Sequence, residues 1–152
     1  MITLRWMLLL VILPATAMPA YAQGIFGLGK KSAPKASPAQ RVPELIMILK
    51  SEKDDRQRVA AAEELREYDI KTYGEIIPVL VEAALGDTRT SVRMEAISSL
   101  SKIRPINADA GQALERAASN DENLRVRLHA RTSLWHYQLA GYSNRTPPAE
   151  EP

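Results

Sequence analysis

A chain of 152 residues has room for one domain, and 25% charged with 45% apolar residues is the balance of an ordinary globular protein. The absence of cysteine excludes disulfides, a thiol nucleophile and a lipid anchor on cysteine. From Val42 onward there are 15 bases and 18 acids, so the nominal basicity of the chain lies ahead of that point, and a dedicated nucleic-acid binder, whose affinity rests on clustered cations, is excluded as well.

The first 22 residues read as an export signal. Arg5 is the positive start, Trp6 to Leu13 is an unbroken apolar run, and Pro14 interrupts it. Small residues at Ala20 and Ala22 predict cleavage between Ala22 and Gln23, leaving a periplasmic or secreted protein. The run has eight residues, against about 20 needed for a bilayer-spanning helix, so no stable membrane span is expected after cleavage. Residues 23–41 are rich in Gly, Ser, Pro and Ala and carry Lys30, Lys31, Lys35 and Arg41 without an acid. They read as a flexible basic tether, either simply solvated or drawn towards anionic surfaces.

The body of the chain, 42–142, is periodic. Six helices are expected, at about 43–50, 55–68, 73–86, 90–104, 108–119 and 123–140. Val92, Ala96, Leu100 and Ile103 recur as one stripe of a 3.6-residue helix. Gly86 stops one helix ahead of Asp87 and Thr88, and Gly141 stops the last. Three segments superimpose with periods of 35 and then 34 residues. Arg58, Arg93 and Arg127 align, as do Ala61, Ala96 and Ala130, then Leu65, Leu100 and Leu134, then Tyr68, Ile103 and Tyr137. In the upstream halves Leu45, Leu80 and Leu114 align, and Pro43 matches Pro78. An acid stands six residues before each aligned arginine, at Glu52, Asp87 and Asp121. Each helix pair is amphipathic and needs its neighbours to bury its apolar face. The end of the chain, 143–152, carries three prolines and two acids and reads as a disordered tail.

The proline early in a first helix, the acidic turn, and Val-Arg-x-x-Ala-x-x-x-Leu opening the second resemble HEAT repeats. Ile76 to Ile103 is the closest match. Unit three keeps Asp121, Val126, Arg127, Ala130 and Leu134 but lacks the proline, and unit one has Gln57 for Val and Glu52 for Asp. The resemblance implies an all-α fold, a short right-handed α-solenoid of about three helix pairs. It also implies that the acids and arginines form a ladder tying successive turns, with Arg58, Asp87, Arg93, Asp121 and Arg127 as its members.

No chemistry-bearing motif accompanies the repeat. There is no phosphate-binding glycine loop, nucleophile elbow or His-Glu-x-x-His, and His129 and His136 alone make a poor metal site. No enzyme activity, cofactor or metal is expected. A protein-binding or scaffold module acting through a face of the solenoid is. Its candidate partner-binding residues are Arg93, Arg127, Arg131, Trp135 and His136, and an acidic or extended protein or peptide is the partner that arginines on the second helices suggest. Trp135 stands where unit one has Arg66 and unit two Ser101, so it either closes the end of the stack or anchors a partner. The resemblance also admits a bilin-lyase-type chaperone or enzyme, which an exported chain poor in aromatics fits badly.

Overall fold

The computed structural model describes Ser37–Ser143; the expected export signal, most of the tether and nearly all of the tail lie outside the described residues. Six helices follow one another: α1 (Pro38–Ser51), α2 (Asp55–Leu65), α3 (Ile76–Gly86), α4 (Thr90–Lys102), α5 (Ala108–Asn120) and α6 (Leu124–Leu139). Among the described residues there is no strand. Helices pair within units as α1 with α2, α3 with α4 and α5 with α6. Units stack through α2 on α4 on α6 in one layer and α1 on α3 on α5 in the other. That is a short α-solenoid.

The repeated positions explain the stacking. Leu45, Leu80 and Leu114 are fully buried, and so are Ala61, Ala96 and Ala130, whose small side chains let neighbouring helices approach closely. Leu65 and Leu100 are buried at the centre, while Leu134 in the last unit is only partly covered. Between successive units the contact is tight enough for Ser99 Oγ on α4 to donate to the Ala62 carbonyl of α2 at 2.7 Å. Polar links in register along the same face, Ser91 to Asp55 and Arg66 to Glu95, show that α2 and α4 run parallel.

Helix ends differ from expectation by three residues or more in three places, one of them the end of α2 at Leu65 rather than 68. The first helix starts at Pro38 rather than 43, inside the stretch read as tether. Pro38 occupies the first turn, where a missing N–H costs nothing. Pro43 sits inside the helix, and the additional turn is held by buried Val42 and by Arg41, which forks onto Glu64 of α2 at 2.8 and 2.6 Å. The third helix starts at Ile76 rather than 73, which places Pro78 in its first turn, where backbone donors have no helical partner anyway.

Candidate functional site

The turns between paired helices carry the ladder. Arg58 donates from Nε and Nη2 to the two carboxylate oxygens of Asp87, both at 2.9 Å. Arg93 does the same to Asp121 at 2.9 and 3.1 Å. Each arginine also donates from Nη1 to the carbonyl six residues back in its own turn, Arg58 to Glu52, Arg93 to Asp87 and Arg127 to Asp121, all at 2.8 Å. One guanidinium thus holds its own turn with one nitrogen and the next unit's acid with the other two. The acids have a second task. Asp87 accepts from the Arg89 N–H and Asp121 from the Asn123 N–H, each at 2.8 Å, fixing the start of the following helix. Burial disfavours the Asp87 carboxylate, but the Arg58 guanidinium and the Arg89 N–H outweigh it and hold its pKa below the ordinary 3.8.

This geometry removes Arg93 from the partner-binding set. Its side chain is 5% exposed, as is that of Asp121, and its donors are spent on Asp121, Glu122 and the Asp87 carbonyl. Arg58 is likewise buried. An arginine ridge facing an acidic partner is therefore absent from the first two units. The aligned arginines point into the joints between units.

Arg127 is different because no fourth unit packs on α6 among the described residues. Nη1 reaches the carbonyls of Asp121 and Glu122 at 2.8 and 3.2 Å, and among the described residues no carboxylate meets its Nε or Nη2. The rest of α6 is also left open on the side that α2 presents to α4 and α4 to α6. In α4 that side includes Ile97, fully buried, and Ser98, whose Oγ is hydrogen-bonded to His129 Nε2 at 3.0 Å. The α6 residues in register with it are Leu124, Leu128, Arg131, Thr132 and Trp135, and Leu139 extends the line. Leu124 is 58% exposed, Leu128 52%, Trp135 57% and Leu139 69%. Arg131 and His136 are exposed too, and the His136 ring lies 5.1 Å from that of Trp135.

The same end is closed over α5. Gly141 turns the chain with φ +110°, a conformation suited to glycine, and the Tyr142 N–H returns to the Tyr137 carbonyl at 3.1 Å. The Tyr142 ring then packs on Tyr137 and against Gly111, while its hydroxyl donates to Glu115 at 3.2 Å. Gly111 and Glu115 are in register with Ile77 and Val81 of α3. Tyr142, not Trp135, caps the stack, packing over α5 and on Tyr137 of α6 while Trp135 stays exposed. At the opposite end of the solenoid Arg41 and the Tyr68 hydroxyl both engage Glu64, while Met47 on α1 is 68% exposed.

Of the residues picked from the sequence, the structure brings Arg127, Arg131, Trp135 and His136 onto or beside one edge. Leu124, Leu128 and Leu139 belong to that edge and were not singled out. The signal for them was present, since aligning α6 with α4 sets Leu124 on Thr90 and Trp135 on Ser101. Clefts of 420 and 330 Å³ open at the turns beside Arg58 and Arg93. They repeat with the unit and are lined by the ladder itself. Among the described residues no group of three or more His, Cys, Asp or Glu is placed to hold a metal ion, and no helix is long and apolar enough to cross a membrane.

The family model for HEAT repeats matches residues 42–135. No curated protein and no solved structure gives a match.

Proposed function

We propose that this chain, which belongs to the HEAT-repeat family, is an exported, non-enzymatic protein-binding module that engages its partner through the open edge of α6. HEAT repeats are commonly protein-interaction scaffolds, which supports a protein partner. The observation that carries the reading further is the exposed line Leu124, Leu128, Trp135 and Leu139. Single exposed apolar residues are ordinary on protein surfaces, whereas four on one side of a single helix mark a contact surface. A tryptophan flanked by Arg131 and Arg127 is the composition of an energetic anchor.

Two measurements test this. After the expected cleavage Trp135 is the single tryptophan, so its emission reports the edge directly. Partners captured by the tagged chain from its own cell envelope should shift that emission to the blue, and Leu128→Glu should abolish capture while leaving the helical circular dichroism intact. Capture that survives Leu128→Glu and Trp135→Ala would refute the edge. Cell fractionation and N-terminal sequencing test export. A protein that stays in the cytoplasm with its N-terminus intact would refute that part alone.

A further inference from the structure

Resting on the assignment of the α6 edge as the contact surface, we infer that its occupant is a single amphipathic helix of another protein, preceded by a carboxylate that docks on Arg127. Three observations converge on this ligand.

First, the carboxylate slot is built. Arg127 is held by its Nη1 as Arg58 and Arg93 are, and the two nitrogens that grip Asp87 and Asp121 in the earlier joints meet no carboxylate among the described residues. In those joints the acid stands three residues ahead of the first residue of the helix that stacks, Asp87 before Thr90 and Asp121 before Leu124. A docking helix in the same relation to α6 brings its acid to Arg127 while its apolar face covers Leu128 and Trp135. The planar guanidinium fork suits a carboxylate in two-point contact.

Second, only one helix fits. A complete further unit needs the fronts of both α5 and α6, and Tyr142 already occupies the front of α5 against Gly111. This also disfavours a second copy stacking head to tail. The back of its α2 carries Glu64 already engaged by Arg41.

Third, the edge is cationic. From Leu124 to Leu139 the helix has no acid, and Arg127 and Arg131 lie on its open side. Two copies of α6 packed on each other would bring these charges together in a partly desolvated contact. An acidic helix relieves them.

The test uses the full chain and a fluorescein-labelled helical peptide. The peptide has alanine and leucine on one face, glutamate on the other, and aspartate three residues ahead of its first helical residue. A matched peptide carries asparagine in place of that aspartate. Anisotropy should show saturable binding of the aspartate peptide. Arg127→Ala and the asparagine peptide should each weaken it by about tenfold or more, and the two changes together should weaken it little beyond either alone. Leu128→Glu should abolish binding. Arg127→Lys, which keeps the charge without the fork, repeats the measurement should the alanine variant unfold. Equal affinity for the two peptides, or no saturation up to about 1 mM, would overturn the inference. If Leu128→Glu abolishes binding while Arg127 and the aspartate do not matter, the edge stands as the contact surface and the carboxylate helix falls. If no variant changes binding, both fall. Sedimentation showing self-association of the chain alone, lost in Leu128→Glu, would make a second copy the occupant and overturn the inference. Tighter peptide binding when Glu150 and Glu151 become glutamine would place the chain's own acids in the slot, with the same consequence.

Discussion

Arg93→Ala and Arg127→Ala are the same substitution at the same repeat position, and the structure assigns them very different costs. Arg93 removes two carboxylate contacts, at 2.9 and 3.1 Å, from a pair whose side chains are each 5% exposed. Truncating it leaves the Asp121 carboxylate buried with little beyond the Asn123 N–H to accept from. Breaking a buried pair from one side costs about 3–5 kcal/mol, most of it the stranded charge. Arg127 loses only donors to two turn carbonyls, at 2.8 and 3.2 Å. It is half-buried, and water can replace those bonds, so about 1 kcal/mol is expected. The difference of about 2 kcal/mol or more should appear as at least about 8 °C between the two melting temperatures for a domain of this size. Thermal unfolding followed by circular dichroism at neutral pH measures it directly. Equal shifts would refute the claim that the ladder's stabilisation resides in the unit-to-unit contact. They would show instead that each arginine acts only within its own turn.

Leu100, fully buried at the middle of the stack, should lose about 2–5 kcal/mol on truncation to alanine, and a melt without a shift would contradict its central placement. Gly111→Ala sets a methyl group inside the Tyr142 ring; ejecting that ring should cost about 1–3 kcal/mol, and the substitution should be nearly neutral in a Tyr142→Ala background. Asp87 has a lower pKa folded than unfolded. Its contribution is therefore present above 3.8 and lost as the pH falls through its folded value. Stability should drop in the acid range, and Asp87→Asn should lower the plateau and flatten that drop in a pH series of urea titrations. An acid limb with unchanged slope in the variant would rule this out.

What could be read from the sequence was what repeats. Leu45, Leu80 and Leu114 recur because each meets the same surroundings, and recurrence is visible without knowing what those surroundings are. The same property misleads about Arg93. A recurring arginine looks like a row of contacts for a ligand, yet recurrence follows equally from a joint made once per unit. The distance to the acid of the next unit, 29 residues from Arg58 to Asp87 and 28 from Arg93 to Asp121, separates the two readings only once the stacking is known. The first helix was set too short for a local reason. Pro43 looks like a helix start, and the contact that extends the helix past it, Arg41 to Glu64, crosses 23 residues. No neighbouring residue announces that contact.

The ends of a solenoid are where the pattern must break, and here the breaks supply the proposed contact surface. Gly111 stands in register with buried Ile77, and a glycine inside a helix weakens it unless something uses the missing side chain; Tyr142 does. Leu124 and Trp135 replace Thr90 and Ser101 of the preceding unit, becoming apolar where no further helix packs among the described residues. A chain that only had to stop would be expected to turn both fronts polar, as terminal repeats do for solubility. Within the described residues a tyrosine closes α5, α6 stays apolar, and Arg127 keeps two nitrogens that meet no carboxylate. A closed half beside an unfilled half is the geometry that the proposed partner helix would complete. Changing Leu124, Leu128, Trp135 and Leu139 together to the polar residues of a capping helix should therefore leave the fold intact and remove binding. If binding persists, the exposed line is an incidental product of where the repeats end.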